Sequence, residues 1–213
     1  HKVEVNPNSI ETSSINVSFE EKAKIKRQYS IPENATTFIY GGNLGKPQGI
    51  NFLINVLQSN LNKTDRYFII AGSGTERTKI EKWFSENNPS NALLIEYLPK
   101  ESYDKLLAAC DVGMIFLDQR FTIPNYPSRL LTYLENRLPV VMATDVHTDI
   151  GKIAEENGYG LWCQNGDLNK FNSLLDILCL NQELRKEKGE KGFQFLMENC
   201  QVEQSIKTIL SHF

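Results

Sequence analysis

The stretch from Asn125 to Ala143, NYPSRLLTYLENRLPVVMA, holds the residue types that suit recognition of a phosphorylated, hydroxyl-rich ligand. At helical spacing Ser128, Thr132 and Glu135 fall at i, i+4 and i+7 and share one face, with Arg129 beside them. A hydroxyl, a guanidinium and a carboxylate so arranged can hold a phosphate and the hydroxyls of an attached sugar. Asn125 is expected to cap this helix and Pro127 to occupy its first turn, leaving backbone N–H groups directed at an anion. Leu130, Leu131 and Leu134 form a separate, core-facing stripe. Pro139 to Ala143 then runs apolar without alternation, as a strand covered on both sheet faces does.

Four other loops carry polar or glycine-rich sequence. Gly41–Gly49 (GGNLGKPQG) lies between a strand pattern and a helix pattern, where Gly42, Asn43 and Gln48 could cradle phosphates. A plain glycine-rich turn with a solvated Lys46 is the other reading. The loop fits neither the dinucleotide GxGxxG nor the P-loop GxxxxGK[ST] fingerprint. Gly72, Ser73 and Gly74 make a second glycine turn, either a ligand contact or a means for the chain to double back. Tyr97, Leu98 and Pro99 precede a helix, and their backbone could pair with the edge of a base. Thr148 and Asp149 open another helix, and Asp149 suits a cap or first-turn acid as well as a ligand contact. No loop joins a nucleophile to its base: Cys110 ends an apolar helix, Ser128 has no histidine near it, and the carboxylates are not paired as in a glycosidase. The 4 cysteines form no CxxC pair and the 3 histidines no ligand spacing, so neither a protein metal site nor a bound cofactor is expected.

The elements that must position these loops alternate. Apolar runs at Thr37–Tyr40, Tyr67–Ala71, Leu93–Tyr97, Val112–Leu117, Pro139–Ala143 and Gly160–Cys163 predict six strands. Helical patterns at Gly49–Ser59, Glu76–Asn87, Lys100–Ala109, Pro127–Asn136 and Asp149–Asn157 lie between them. This predicts an α/β fold, a Rossmann-like doubly wound parallel sheet of about six strands with helices on both faces. A helical tail follows at Leu168–Leu178, Gln182–Glu198 and Val202–Leu210, part of which is free to pack away from the sheet. No Pro, Gly or Ser boundary divides the chain, so its 213 residues read as one domain. In such sheets ligands bind at the carboxyl ends of the strands near the switch in strand order, where all of these loops fall. A hydrophobic content of 40% and a net charge of −3 argue against a disordered chain and a basic nucleic-acid surface. The apolar runs fall short of the roughly 20 residues that span a bilayer, and a cytoplasmic location is expected.

In their order and spacing, YGGNLGKPQGINFLINVL, FIIAGSGTERTKIEKW, IEYLPKESYDKLLAACDVGMIFL and PSRLLTYLENRLPVV resemble the C-terminal, nucleotide-sugar-binding domain of retaining GT-B-fold glycosyltransferases. This is the group 1 family, which includes bacterial capsule and lipopolysaccharide transferases. VNPNSIE resembles the segment where such chains leave their N-terminal domain, and His1 would lie in that interdomain stretch. ENCQVEQSIKTIL resembles the closing helices. The resemblance covers nearly the whole chain and implies that residues 1–213 form the donor-binding domain, with the N-terminal acceptor domain absent. It implies a hexosyl- or N-acetylhexosaminyltransferase in the full-length protein, with the fragment inactive by itself. The donor would be a nucleotide diphosphate sugar, a UDP-sugar before a GDP-sugar. A glycan or lipid-linked acceptor would be reached through the missing domain, which leaves open a peripheral position of the parent at the inner face of the membrane.

Carried onto this sequence, the resemblance implies that Gly42, Asn43, Gln48, Ser128 and Arg129 bind the diphosphate. Thr132 and Glu135 would bind the ribose, Tyr97, Leu98 and Pro99 would approach the base, and Thr148 and Asp149 the donor sugar. The catalytic residues stay unassigned. Asn43 and Gln48 stand where many members carry Arg and Lys, and Pro124 and Thr132 where many carry two glutamates eight apart. Glu135, one turn on, is therefore expected to take over the ribose. A nucleotide-sugar epimerase and a non-catalytic nucleotide-binding module are the alternatives.

Overall fold

The structure is a computed structural model that describes residues 5–12, 17–120, 122–123 and 125–213. Pro124 and His1 lie outside the described residues. The six expected strands form as β1 (Thr36–Gly41), β2 (Arg66–Ala71), β3 (Ala92–Ile95), β4 (Val112–Phe116), β5 (Val140–Thr144) and β6 (Gly160–Gln164). They make a single parallel sheet in the order β3-β2-β1-β4-β5-β6. Every residue of β1, β2, β4 and β5 is buried, which accounts for their nearly unbroken apolar sequences.

Helices α1 (Phe19–Gln28), α2 (Ile50–Ser59), α3 (Arg77–Asn87), α4 (Lys100–Ala108), α5 (Arg129–Glu135), α6 (Ile150–Glu156), α7 (Leu168–Leu180), α8 (Gln182–Asn199) and α9 (Val202–Leu210) complete the chain. Side chains alternate across the sheet into two cores. Phe38, Tyr40, Phe68 and Ile70 pack with Leu53 and Val56 of α2, Ile80 of α3 and Phe171 of α7. Ile39, Ile69 and Val140 pack with Leu106 of α4, Leu130 and Leu134 of α5, Ile150 of α6 and Leu196 of α8. Two of the tail helices thus cover the sheet, whereas α9 buries no residue.

Several expected boundaries move. The helix expected from Pro127 begins at Arg129, and Asn125 does not cap it: Ser128 takes the cap position without a side-chain cap bond, and the Pro127 carbonyl accepts from the Leu130 N–H at 3.0 Å. The strand expected to reach Tyr97 ends at Ile95, whose carbonyl accepts from the Gly72 N–H at 3.1 Å where β2 has already turned away. Helix α1 went unpredicted because its sequence is charged and it buries no residue. Its local signal is a capping box: Glu21 N–H donates to Ser18 Oγ at 3.2 Å and Ser18 N–H to Glu21 Oε2 at 2.9 Å. All 4 cysteines are free thiols, three of them buried.

Candidate functional site

The strand order reverses between β1 and β4, and loops from both open a crevice at the carboxyl edge of the sheet. A cleft of about 410 Å³ there is lined by Gly42 and Asn43 after β1, Tyr103 of α4, and Ser128, Arg129 and Thr132 of the α5 segment. Arg129 dominates it. Its Cζ lies 4.3 Å from the centroid of the Tyr40 ring, and its Nη2 donates to Gln48 Oε1 at 2.8 Å. Its Nη1 is buried with no acceptor. Among the described residues no carboxylate comes within ion-pair distance of this guanidinium, so none of them meets its charge.

The backbone of the first glycine loop is held from beneath. Tyr40 hydroxyl donates to the Asn43 carbonyl at 2.7 Å, and Gly41 N–H donates to the buried Tyr133 hydroxyl at 3.1 Å. Gly42 N–H goes to the Ala71 carbonyl at 2.9 Å and Leu44 N–H to the Ser73 carbonyl at 2.8 Å. The N–H groups of Asn43, Ser128 and Arg129 have no protein acceptor among the described residues, and all three residues line the cleft. Burial pushes the Tyr133 phenol up to about 12 and the Tyr103 phenol well above its ordinary value, so both stay protonated.

Gly72 and Gly74 take φ of +148° and +154°, and a Cβ on either would run into the backbone of Gly42 or Leu44. Arg77 Nη1 ties this turn to β3 by donating to the carbonyls of Gly72 at 2.5 Å and Ile95 at 3.2 Å. Gly72, Ser73 and Gly74 therefore prop the first loop from behind and do not line the cleft. Tyr97 is 79% exposed, Leu98 packs into the core on the α4 side, and Pro99 starts α4, which carries Tyr103 to the cleft.

After β5, Asp145 is 1% exposed and accepts from the N–H groups of His147 and Thr148, each at 2.8 Å, and from Thr148 Oγ1 at 2.9 Å. Asp145 thus ties together the loop that precedes α6, while Asp149 holds the cap position of that helix with no side-chain cap bond and is exposed. Neither Thr148 nor Asp149 lines the cleft. Glu135 ends α5 and lines a different cavity, of about 370 Å³, together with Lys22, Asp111, Arg137 and Arg185. Tyr40, Tyr103 and Tyr133 were missed by the sequence reading. For Tyr40 the signal was present, a polar-tipped aromatic at the carboxyl end of a buried strand. Among the described residues no group of three or more His, Cys, Asp or Glu side chains could hold a metal ion.

The model of one protein family, glycosyl transferases group 1, matches residues 21–195. The chain belongs to this family. It is similar to WbjE of Pseudomonas aeruginosa, named as a probable glycosyltransferase, at 26% identity over 152 residues. That match covers 70% of this chain and 38% of WbjE. It is also similar to WcaI of Escherichia coli (strain K12), named as a colanic acid biosynthesis glycosyl transferase, at 25% identity, covering 62% of this chain and 32% of WcaI. The matches thus span 38% and 32% of the length of these relatives. Among solved structures, WaaG, a glycosyltransferase involved in lipopolysaccharide biosynthesis, matches with a TM-score of 0.69 at 16% identity, covering 96% of this chain and 55% of that one. Anabaena HepE, solved in complex with UDP, matches with a TM-score of 0.76 at 14% identity, covering 92% of this chain and 53% of that one. These two likenesses show a shared fold.

Proposed function

We propose that this chain is the donor-binding domain of a retaining glycosyltransferase that moves a hexosyl or N-acetylhexosaminyl group from a UDP-sugar to a growing surface polysaccharide, the acceptor-binding domain belonging to a longer parent. The observation that carries this reading is the Arg129 guanidinium, stacked on Tyr40, bonded to the neutral Gln48 and, among the described residues, left with a buried Nη1 that has no acceptor beside a cleft. As the anomeric C–O bond breaks, the departing diphosphate gains charge. Arg129 and the N–H groups of Asn43 and Ser128, which have no acceptor among the described residues, stand ready to stabilise it without reorganising. In this reading Thr132, which lines the same cleft, takes the ribose, and the segments at Tyr97 to Pro99 and at Thr148 and Asp149, outside the cleft lining, are assigned to the base and the donor sugar. Surface-polysaccharide chemistry and UDP draw support from what the names of WcaI, WaaG and the HepE complex state of those proteins.

The test is isothermal titration calorimetry of this chain with UDP and with GDP, repeated on Arg129→Ala. Saturable UDP binding is expected, weakened about 10- to 100-fold by the substitution, as befits loss of a charge-assisted contact. Absence of binding to either diphosphate, or unchanged affinity in Arg129→Ala, would overturn the reading.

A further inference from the structure

Tyr40 is the penultimate residue of β1, and strand alternation turns its ring to the α2 side of the sheet, beneath the first glycine loop. Arg129 starts at the head of α5 on the other side and passes the side-chain-free Gly42, close enough that a Cβ there would sit 3.7 Å from its guanidinium. It comes to rest on the Tyr40 ring. The Tyr40 hydroxyl donates to the Asn43 carbonyl at 2.7 Å and lies 3.5 Å from Gln48 Oε1, the atom that also accepts from Arg129. The peptide between Asn43 and Leu44 is therefore held at both ends, its carbonyl by Tyr40 and its N–H by Ser73. Burial raises the Tyr40 phenol above its ordinary value of 10, so it keeps the proton it donates.

We propose that Tyr40 is the positioning residue of the donor site: its ring fixes the Arg129 guanidinium and its hydroxyl fixes the glycine loop, so that both arms meet a diphosphate already aligned. This rests on the reading of the cleft as a diphosphate site. A long arginine side chain otherwise loses rotamer freedom when it binds, and a flexible loop loses backbone freedom; a desolvated cation–π contact and a buried hydroxyl bond remove both losses in advance.

The test combines calorimetry of UDP with ligand-observed NMR of uridine, which lacks the diphosphate, on Tyr40→Phe, Tyr40→Leu, Arg129→Ala and the double variant Tyr40→Leu/Arg129→Ala. Thermal unfolding is followed in parallel. Tyr40→Phe keeps the ring and the packing and is expected to weaken UDP about threefold, and Tyr40→Leu about tenfold or more, with uridine unchanged in both. In the Arg129→Ala background Tyr40→Leu is expected to add no more than the roughly threefold share of the hydroxyl, because the ring acts through Arg129. A loss of uridine and UDP affinity in step with a lowered melting temperature, or additive effects of the two substitutions, would reduce Tyr40 to a packing residue. Wild-type protein that binds neither UDP nor GDP would instead overturn the donor reading, and the positioning role with it.

Discussion

At the scale of single residues, the cleft depends on tyrosines as much as on its cation. Tyr133 is fully buried, accepts the Gly41 N–H and lies 3.3 Å from the Ile39 carbonyl as a donor. Tyr133→Phe strands that N–H in a site water does not reach, and a loss of about 1–2 kcal/mol is expected in urea unfolding. Glu135 is the residue whose placement departs furthest from the sequence reading. Thr132 and Glu135 share a helical stripe, yet α5 is 7 residues long and only its first turns reach the cleft. Calorimetry on Glu135→Ala is therefore expected to show UDP affinity within about twofold of wild type, whereas a tenfold loss would return the ribose to Glu135.

At the scale of elements, the two glycine turns behave as one object. Leu44 exchanges backbone bonds with the second turn: its N–H goes to the Ser73 carbonyl, and its own carbonyl accepts from the Glu76 N–H at 2.8 Å. Gly72 holds a φ that L side chains rarely adopt, directly against the carbonyl of Gly42. Gly72→Ala is expected to cost roughly 2–4 kcal/mol, because backbone strain and a backbone collision add. Since the displaced partner is the loop that lines the cleft, UDP affinity should fall with the melting temperature. A variant that unfolds earlier yet binds UDP normally would show that the second turn does not hold the first.

At the scale of the whole molecule, the edge of the sheet opposite the cleft is clamped by Arg66, which is 2% exposed. Its guanidinium bonds Asp65 at 2.9 and 2.7 Å, Asp176 of α7 at 2.6 Å and Asn60 after α2 at 3.1 Å, joining three elements at the start of β2. These bonds hold the Asp65 carboxyl below its ordinary value of 3.8. A carboxyl depressed on folding adds stability above its unfolded value and loses it as pH falls through the lower, folded value. Asp65 is half exposed, so the solvent-screened contribution is held to under about 1 kcal/mol. Urea midpoints should drop between about pH 5 and about pH 3 by more in wild type than in Asp65→Asn; equal drops would remove the pair from the acid sensitivity.

What the sequence determined by itself was the set of strands, the parallel sheet and the loops that gather at its carboxyl edge. Each is written in a local pattern: β1, β2, β4 and β5 are buried throughout and largely apolar because both sheet faces are covered, and helical periodicity returns between them. Arg129 and the Gly42–Gln48 loop were legible in the same way, as residue types with few other uses at those positions. Only the tertiary structure decided that Arg129 and Gln48, 81 residues apart, bond to each other and that Tyr40 lies under both. The same holds for the turn at Gly72, which packs against the first glycine loop, and for Glu135, which lines a different cavity. These outcomes depend on strand order, on which face of the sheet a side chain enters, and on where a short helix ends relative to the crevice. Such relations arise between segments distant along the chain, and the pattern within any one segment does not contain them.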